Sequence, residues 1–536
     1  MRITKSIVEK NLLNRFGEKE LEMSLSSLPN PFLLKDMSKT VDRIISAIDN
    51  KEKITIVGDY DADGIDSVTL LKIFFDDMGY PVTWIIPNRF KHGYGISPVI
   101  VEALKSNNTT LAITVDNGIS GIEAADKCME YGIDLIITDH HLLPPNPPKA
   151  FSIINPHQKE CEFPYKNICG AQVAWYLIAA IRSKLALKDI DMIYYLQLVA
   201  IATVADMMPL KHINRVMVNR GLEDINHKSR KTFPGLKFFM LENNCQKMDS
   251  QDISFGLAPR INSAGRIKDA KYAADFLMAK NDIEAAKAYR VLDTINNERK
   301  QIEQSITEKA MLQISEKDSF VVVTGKDWHE GVLGIVASKI GQKIKKPVLV
   351  LTESNEPDML KGSGRSYCDI DLFKTVGDSR SLLDKFGGHA AAIGVSIHKD
   401  KLEEFKKELN STAISRKYLK PEEIDPVLGI IDFTELDFDL INIIDRFGPY
   451  GQENPYPEFT SVNVFVEDIK LMGDSEQHFK ATLRSEDKLF PGVCFYFDEK
   501  MIPGCYYDIT FALNKNSFRN KDTLQLLLRG FTKSED

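Results

Sequence analysis

The chain has 536 residues, of which 43% are hydrophobic and 27% charged, a composition that excludes a disordered protein and allows several globular domains. It carries 68 basic and 76 acidic residues, so a uniformly basic surface is excluded and any nucleic-acid contact depends on local basic clusters. Seven cysteines without a C-x-x-C pair fit neither a disulfide framework nor a zinc ribbon and favour a reducing cytoplasm. The first residues, MRITKSIVEKNLLNRF, lack the apolar core of a signal peptide, and the apolar run 193–205 is too short to span a bilayer. A soluble, cytoplasmic protein without membrane contact is expected.

Between residues 54 and 138, short apolar runs alternate with amphipathic stretches. The runs predicted to be strands are ITIV (54–57), VTWII (82–86), LAITV (111–115) and DLIIT (134–138), and the intervening stretches predicted to be helices are 65–78, 97–106 and 120–131. Alternating strands and helices indicate an α/β fold with a parallel sheet, which binds ligands beyond the carboxyl ends of its strands. The polar residues that follow each strand are therefore the first candidates for a functional site.

Later segments predict three further parts. A long helix is predicted from about Asn281, its cap, to about Ile314. After it, strands at 319–325 and 347–352 flank a helix that begins near Gly331. After the proline-bearing segment KYLKPEEIDP, alternating strands predict a small β-barrel, at 462–473, 478–485, 506–514 and 523–530. The expected domains are a parallel-sheet unit with an N-terminal extension (1–280), a connecting helix (281–316), a smaller α/β unit (317–416) and the barrel (420–536).

The first strand is followed by GDYDADG, which places three carboxylates, Asp59, Asp61 and Asp63, at alternate positions. Carboxylates this close repel one another unless a cation lies among them, so a site for Mg²⁺ or Mn²⁺ is predicted. An EF-hand calcium loop begins in the same way, but its twelfth position would be Leu70 and the motif follows a strand rather than a helix. A solvated acidic turn is the remaining alternative.

Two more strands end in acidic or histidine residues. Asp116 follows the third strand in VDNG, and Asp139, His140 and His141 follow the fourth in TDHH. Because these strand ends meet in one crevice, the carboxylates and imidazoles form the kind of site that two-metal phosphoryl transfer needs. Asp206, at the end of the apolar run 193–205, is either a further ligand or a helix-terminal cap.

These motifs occur in the order and approximate spacing of the DHH phosphoesterase superfamily. Over nearly its whole length the chain resembles the RecJ-type single-strand-specific exonucleases of that superfamily. The motifs that carry the resemblance are DADG, DNG, DHH, VADMMPL, RFKHGYG (89–95), PRINSAGR (259–266), WHEGVLGIVASKI (328–340), GSGRS (362–366), FGGHAAAIG (386–394) and FGPYGQENPYPEF (447–459). The resemblance implies a DHH domain, a DHHA1 domain and a C-terminal OB-fold.

The resemblance also implies roles for the acidic and histidine residues. Two ions, Mn²⁺ or Mg²⁺, would be bound, with Asp63 or Asp116 as the bridging ligand. The implied metal ligands are Asp61, Asp63, Asp116, His140 and Asp206. Among the implied catalytic residues, Asp59 would be an accessory ligand, Asp139 would orient the neighbouring imidazole, and His141 would face the scissile phosphate. Some relatives have a histidine where this chain has Val57, which leaves the first metal one ligand poorer.

Contacts to nucleic acid are predicted from the same motifs. Planar, bidentate arginine suits a terminal phosphate, although a single arginine is often only a solvated surface charge. Tyr94 and His389 are candidates for stacking or phosphate contact, or else serve in a turn or the core. The full set of candidates is Arg89, Tyr94, Arg260, Asn262, Arg266, Ser363, Arg365, Ser366, Gly388 and His389.

The expected function is metal-dependent 5′-to-3′ degradation of single-stranded DNA to mononucleotides in repair and recombination. The barrel would bind the strand, with Arg484, Lys515, Arg519, Lys521 and Arg529 as contributors. The resemblance implies a single-strand-binding protein and a helicase as partners, and nothing in the sequence requires more than a monomer. The alternatives are a hydrolase of short oligonucleotides or cyclic dinucleotides, and a non-catalytic repair scaffold.

Overall fold

The computed structural model describes residues 2–17, 19–368, 370–412, 424–472, 478–495, 497, 499–518 and 521–534. Its helices are α1 (Lys5–Leu13), α2 (Met37–Asp49), α3 (Ala62–Asp77), α4 (Pro98–Ser106), α5 (Ile122–Glu130), α6 (Gly170–Lys184), α7 (Met192–Ala205), α8 (His212–Asn226), α9 (Pro234–Glu242), α10 (Ala258–Ile267), α11 (Lys271–Leu277), α12 (Asp282–Met311), α13 (Leu333–Ile344), α14 (Leu372–Gly377), α15 (Leu402–Thr412) and α16 (Phe438–Arg446). Its strands are β1 (Arg2–Ile3), β2 (Ile54–Val57), β3 (Thr83–Ile85), β4 (Leu111–Val115), β5 (Asp134–Thr138), β6 (Ser152–Ile154), β7 (Val321–Gly325), β8 (Val348–Glu353), β9 (Met359–Arg365), β10 (Leu383–His389), β11 (Ala392–His398), β12 (Val427–Ile431), β13 (Glu458–Met472), β14 (His478–Ser485), β15 (Lys488–Phe495), β16 (Tyr506–Phe518) and β17 (Lys521–Lys533).

The first sheet is parallel throughout, with strand order β3-β2-β4-β5-β6. Strands β2 and β4 are wholly buried, because apolar residues of α3, α6 and α7 cover one face and those of α4 and α5 cover the other. The predicted strands at 54–57, 82–86, 111–115 and 134–138 and the helices between them are confirmed. Their carboxyl ends meet at one edge of the sheet, where the acidic motifs lie.

Helices α7 to α11 extend this unit beyond the sheet. Helix α7 holds the apolar run 193–205 and is buried over most of its length. A π-helical segment, Asp252–Leu257, leads directly into α10. None of the helices in the described ranges is long and apolar enough to cross a membrane.

The long helix α12 links the first unit to a second sheet, with strand order β10-β11-β9-β8-β7. Asn281 caps α12 as predicted, since its side chain accepts hydrogen bonds from the amides of Ile283 and Glu284. Strands β7 and β8 are parallel, whereas β8 to β11 are antiparallel. The sequence predicted β7, β8 and α13 but not the glycine-containing strands β9 to β11.

The C-terminal unit is a closed barrel in which β13, β14, β15, β17 and β16 pair in turn and β16 returns to β13. Closure leaves no free edge among these five strands, as in an OB-fold. The β-barrel prediction is confirmed. The linker predicted at 417–426 lies mostly outside the described residues.

The sequence grouped the whole N-terminal extension with the parallel-sheet unit, but its first part, Ile3 to Phe16, packs on the barrel, whereas α2 packs on the parallel-sheet unit. Strand β1 pairs with β12, and the apolar stripe Val8, Leu12 and Phe16 is buried in the barrel core. Phe16 stacks on Phe447 with ring centroids 6.3 Å apart. Val8 and Leu12 lie four residues apart on α1, and Phe16 follows the end of that helix. This stripe needs an apolar cover, which the sequence could not locate because the cover comes from residues more than 400 positions away.

Candidate metal centre and nucleic-acid cleft

The GDYDADG turn joins β2 to α3 and places Asp59 and Asp61 at the end of the strand. Asp61 caps α3 and accepts a hydrogen bond from the Gly64 amide at 3.1 Å. A Cβ on Gly64 would lie 2.6 Å from the Asp59 carbonyl oxygen, so the close turn requires glycine here. Asp59 is buried and neither of its carboxylate oxygens has a hydrogen-bond partner among the described residues.

Asp63 lies in the first turn of α3 and faces the amino terminus of α6. Its two oxygens accept hydrogen bonds from the amides of Gly170 at 2.6 Å and Ala171 at 2.7 Å. A helix amino terminus favours a carboxylate, so α6 holds Asp63 in place. Both oxygens of Asp63 are thereby partly committed to the backbone.

Asp116 follows β4 with a left-handed φ of 60°, a conformation that costs energy in a non-glycine residue. Asn117 supports this turn, because its amide nitrogen donates to the carbonyls of Val57 and Val115 while its oxygen accepts from the Ile96 amide. Gly170 makes room for the carboxylate, since a Cβ there would meet the Asp116 Cβ at 2.5 Å. The sequence reading missed both Asn117 and Gly170; the DNG motif was the available signal for the first.

His140 and Asp206 complete the cluster. The Nε2 atom of His140 lies 3.1 Å from Asp116 Oδ1, 3.6 Å from Asp63 Oδ2 and 3.7 Å from Asp206 Oδ2. Asp206 directly follows the last residue of α7, and its side chain joins the cluster. We call Asp59, Asp61, Asp63, Asp116, His140 and Asp206 the acidic floor.

The second histidine of the DHH triplet is held by the first residue of that triplet. Asp139 is buried and accepts hydrogen bonds from the amides of Ile119, His140 and His141 and pairs with His141 Nδ1 at 2.8 Å. Burial opposes ionisation of Asp139, but its bonds with His141 and the amides hold its pKa below the ordinary value. Burial alone would lower the pKa of His141, but the hydrogen bond with Asp139 raises it to about 9. The His141 ring is half-exposed, and its Nε2 remains for a substrate.

The acidic floor has the chemistry of a site for hard divalent cations. Three groups of ligand atoms each lie within 4.8 Å of one another: Asp59, Asp61 and Asp116; Asp63, His140 and Asp206; and Asp116, His140 and His141. Oxygen atoms with one imidazole are ligands that Mn²⁺ and Mg²⁺ accept. Buried oxygens of Asp59, Asp116 and Asp206 have no hydrogen-bond partner among the described residues, so the donor set fits a cation.

Electrostatics support the same conclusion. Burial, reinforced by the neighbouring carboxylates, raises the pKa of Asp59 and Asp116 well above the ordinary value, and that of Asp206 to about 8. The burial of Asp59, Asp63 and Asp116 excludes a solvated acidic turn, and the strand before the motif excludes an EF-hand. Val57 lies in an apolar cluster and supplies no ligand.

A further buried carboxylate, Asp66, was not singled out from the sequence. It lies one helical turn after Asp63 on α3, is fully buried, and has no hydrogen-bond partner among the described residues. Burial and the carboxylates of Asp63 and Asp61 raise its pKa well above the ordinary value. No ligand group found among the described residues includes it.

Three predicted arginines form a cluster beside the acidic floor, which we call the arginine cluster: Arg89, Arg266 and Arg365. Burial, together with the positive charges of Arg89 and Arg365, lowers the pKa of Arg266 to about 10. Burial and Arg89 likewise lower the pKa of Arg365. Within the described part of the chain, the Arg266 guanidinium makes no hydrogen bond or ion pair. A crowded, underpaired set of cations suits an anionic ligand.

A cavity of about 580 Å³, the first cavity, opens at this cluster and is lined by Arg89, Ser363, Arg365 and Gly388. Arg365 Nη1 donates to Ser363 Oγ at 2.7 Å, and the Ser363 hydroxyl donates to the Ile393 carbonyl at 3.2 Å. Gly388 has φ 137° and a Cβ there would meet the Ala392 carbonyl oxygen at 2.3 Å, so this position requires glycine. The structure therefore brings the candidates from the DHH side and from the second sheet into one cavity.

Four other candidates have different placements. Tyr94 is half-exposed near the acidic floor, where its hydroxyl lies 3.4 Å from the Asp116 carbonyl and its ring contacts His141 edge-on. Asn262 accepts a hydrogen bond from the Ala62 amide at 2.9 Å, which ties α10 to the start of α3. Ser366 donates to the Ile370 carbonyl in a turn, and His389 accepts from the Ala391 amide at 3.3 Å on an exposed hairpin.

Arg260 is not part of the arginine cluster. Its guanidinium donates to Asp293 of α12 at 2.9 Å and to the Gly256 carbonyl at 2.8 Å, and it lies over the rings of Phe239 and Tyr289. These contacts anchor the π-helical segment to α12. Arg260 therefore has a packing role in the structure.

The basic residues predicted on the barrel are mostly paired with acids. Arg484 contacts Glu467, Lys515 contacts Asp522 at 2.9 Å, and Arg529 contacts Glu458 at 3.0 Å. Arg519 and the Lys521 side chain lie outside the described residues. Arg484 also lies over Phe465, which packs against the exposed Tyr506, so an aromatic surface is present on the barrel.

Comparison with known proteins gives three matching family models. The DHH family N-terminal domain matches residues 53–203, the DHHA1 domain matches 317–415, and the RecJ OB domain matches 429–530. The single-stranded-DNA-specific exonuclease RecJ of Dickeya dadantii is 32% identical over 95% of this chain and 92% of its own length. The Bacillus subtilis protein of the same name is also 32% identical, over 94% of this chain and 64% of its own length.

Solved structures agree with this fold. The RecJ structure in complex with Mn²⁺ from Thermus thermophilus matches 99% of this chain and 76% of that chain, with a TM-score of 0.82 and 24% identity. A manganese-bound exonuclease RecJ structure matches 71% of this chain and 95% of that chain, with a TM-score of 0.63 and 28% identity. The order of DHH, DHHA1 and OB units inferred from the motifs is confirmed.

Proposed function

Because the chain belongs to the RecJ family of single-stranded-DNA-specific exonucleases, we propose that it degrades single-stranded DNA from the 5′ end to mononucleotides in repair and recombination, using Mn²⁺ or Mg²⁺. One observation carries the proposal. Arg266 lies within electrostatic range of Asp61, and Arg89 within range of Asp59, so cation ligands and phosphate-binding groups are neighbours. A phosphodiester bond held between them would contact bound cations on one side and arginines on the other. Both stabilise the negative charge on the phosphoryl oxygens during cleavage.

We assign two ions to the acidic floor. Asp59, Asp61 and Asp116 would hold one, and Asp63, His140 and Asp206 the other. Asp116 is the better bridging ligand, because it also lies 3.1 Å from His140, whereas both oxygens of Asp63 accept backbone hydrogen bonds. Bound Mn²⁺ or Mg²⁺ supplies activation of the attacking water and neutralisation of charge on the phosphoryl oxygens.

The remaining side chains position the substrate. His141, held by Asp139 through Nδ1, presents Nε2 to a non-bridging phosphate oxygen. Arg365 and Arg266 bind the phosphate at the strand terminus, and Ser363 holds Arg365 in place. Arg89 lies over the Tyr60 ring at 5.4 Å, next to the DADG turn, and reaches the same phosphate. Attack on phosphorus is in line, without a covalent intermediate on the protein.

We assign the work of the enzyme to the predicted units. The DHH unit of 1–280 supplies the acidic floor, and the DHHA1 unit of 317–416 supplies the opposite wall of the cleft. The connecting helix of 281–316 sets their separation, and the barrel of 420–536, to which the N-terminal residues are added, binds the strand by stacking.

We further propose that the enzyme acts in the cytoplasm as a monomer and receives its strand from a single-strand-binding protein and a helicase. These proposals rest on the family's chemistry. The substrate strand has to be exposed and kept unpaired before an exonuclease that prefers single strands can degrade it.

A hydrolase limited to short oligonucleotides or cyclic dinucleotides would not need the barrel. A non-catalytic scaffold would not need the complete acidic floor. The test compares long single strands labelled at the 5′ or at the 3′ end, with and without Mn²⁺, and uses duplex as the control. We expect Mn²⁺-dependent mononucleotide release from the 5′ end of the single strand only. Release from the 3′ end would overturn the polarity, and cleavage of cyclic dinucleotides but not of long strands would overturn the exonuclease.

A further inference from the structure

The first cavity extends beyond the arginine cluster. Arg89 and Arg365 line it together with two lysines, Lys361 and Lys385, whereas no residue of the acidic floor lines it. The members of the cluster within electrostatic range of the acidic floor are Arg266 and Arg89. The cavity therefore begins at the arginine cluster and continues past it without reaching the metal centre.

One face of the second sheet forms the floor of this cavity. Along β9, Arg365, Ser363 and Lys361 alternate onto that face, and the Cα atoms of the first and last lie about 13 Å apart. Strand register pairs Ser363 with Gly394 of β11, and Gly394 with Gly387 of β10. We call these three residues the glycine row.

The glycine row is open. A Cβ on Gly387 would meet no atom within 4 Å, and one on Gly394 would meet only the Gly362 carbonyl oxygen, at 4.0 Å. The opposite face of the same strands is buried, since apolar residues such as Ile393 and Val395 pack there with residues of α14 and α15. The cavity face therefore has room for a ligand between its arginine end and its lysine end.

The two lysines lie on one row at the far end of the cavity, because Lys361 and Lys385 both pair with Ser396 of β11. Lys385 forms no ion pair within the described part of the chain, and Lys361 pairs with Glu330 at 2.5 Å. Glu330 is the one acid that lines the cavity. Cations at both ends suit a ligand that carries several linked anionic groups.

We propose that Lys361 and Lys385 bind the outer phosphates of a strand whose 5′ end carries a polyphosphate, so that the enzyme accepts ends longer than a monophosphate. This inference rests on the proposed function and deepens it by naming a further class of substrate. With the first phosphate at the arginine cluster and the scissile bond at the acidic floor, only groups attached beyond the terminal phosphate reach the lysine end.

A nucleoside joined to the 5′ end would instead need a ring to stack on. Phe386 is the only aromatic residue that lines the cavity, but its side chain lies on the other face of β10. There it stacks on Phe373 with ring centroids 4.9 Å apart. The cavity therefore offers charges rather than an aromatic surface, which favours phosphates as the occupant.

The first cut on such an end follows the proposed reaction. Water adds to the scissile phosphorus, and the bond from that phosphorus to the 3′-oxygen of the first nucleotide breaks. That oxygen takes up a proton, so the released nucleoside keeps its own triphosphate. The shortened strand begins with a monophosphate that contains the oxygen of the water, and every later cut releases a mononucleotide.

The first test measures binding without turnover. Fluorescence anisotropy in EDTA uses one 3′-labelled single strand with a 5′-hydroxyl, a 5′-monophosphate or a 5′-triphosphate. The parent is compared with Lys361→Ala/Lys385→Ala and with a matched control, Lys401→Ala/Lys407→Ala, which removes two exposed lysines at η6 and α15. We expect parent and control to bind the triphosphate end about tenfold more tightly than the monophosphate end, and Lys361→Ala/Lys385→Ala to bind both alike. A preference that survives in that variant, or an equal loss for all three ends, would overturn the proposal.

The second test separates a strand end from a free nucleotide, which shares the polyphosphate chemistry. Unlabelled nucleoside triphosphate and an unlabelled triphosphate strand compete with the labelled strand in EDTA. We expect the free nucleotide to compete much more weakly than the strand, because it lacks the contacts beyond the first nucleotide. Equal competition would overturn the assignment to strand ends.

The third test follows the chemistry, with Mn²⁺ in excess over the phosphate groups. We expect the parent to release one nucleoside triphosphate and then mononucleotides from the triphosphate strand. Gly394→Leu, whose side chain would fill the glycine row, should digest the monophosphate strand at the parent's rate and the triphosphate strand more slowly. Release of pyrophosphate, or a parent blocked by the triphosphate end, would contradict the inference. Failure of the parent on the monophosphate strand would instead refute the exonuclease.

Discussion

The acidic floor and the arginine cluster carry opposite charges, yet each contains charged groups that have no hydrogen-bonding partner among the described residues. Oxygens of Asp59, Asp116 and Asp206 have no hydrogen-bond partner among the described residues, and Arg266 forms no ion pair there. Direct pairing between the two would cancel these charges, but no ion pair joins them within the described ranges. Each region thus stays available for a ligand of opposite sign, cations for one and phosphate for the other.

The largest effect is expected from the acidic floor. Asp116→Asn removes the charge of the carboxylate that two ligand groups share, so kcat should fall by at least about 10³-fold, or ~4 kcal/mol. Without metal, Asp116→Asn should be no less stable than the parent, since the change also relieves repulsion among the carboxylates of the acidic floor. Calorimetry with Mn²⁺ should show a raised Tm for the parent and little change for the variant. Asp126→Asn, an exposed acid on α5, is the control, and an active Asp116→Asn would refute the shared-ligand assignment.

The arginine cluster should affect binding more than chemistry. Arg365→Ala loses charge-assisted hydrogen bonds, so KM for single-stranded DNA should rise about 10- to 100-fold with Mn²⁺ binding unchanged. Arg365→Lys should recover only part of this, because lysine lacks the planar fork. Lys407→Ala, which removes an exposed positive charge on α15, is the matched control. If Arg365→Ala lost Mn²⁺ binding instead, the two regions would not be independent.

Arg260 tests whether an arginine outside the cluster behaves differently. Arg260→Ala breaks the contacts with Asp293 and Gly256 and should destabilise the protein by about 1–3 kcal/mol. Chemical denaturation measures this loss, and the increase in KM should be smaller than for Arg365→Ala. An Arg260→Ala variant as stable as the parent but with a strongly raised KM would restore the direct phosphate contact that the sequence predicted.

The smallest effect is expected on the barrel. Arg484 is exposed and already paired with Glu467, so Arg484→Ala should change KM by less than about twofold. Tyr506→Ala, on the neighbouring aromatic surface, should weaken strand binding more. KM measured at two salt concentrations would check both expectations. A large, salt-sensitive rise in KM for Arg484→Ala would show that Arg484 leaves Glu467 and contacts the DNA.

The sequence determined the parallel sheet and the location of its site. Short apolar runs such as 54–57 and 111–115 favour buried strands by their length, and parallel pairing brings the residues after them to one edge. Asp61, Asp63, Asp116 and His140 could therefore be placed together without coordinates. The glycine-containing strands β9 to β11 and the mainly apolar helix α7 gave no such periodic signal.

Only the tertiary structure decided what individual residues of one motif do. Arg260 and Arg266 lie six residues apart on α10, and at 3.6 residues per turn they point to different faces, one toward α12 and one toward the cleft. A π-helical segment leads directly into that helix, and no spacing in the sequence reveals it. Long-range contacts likewise decided that α1 belongs to the barrel. The spacing of apolar residues along a helix indicates that one face must be buried, but not which surface covers it.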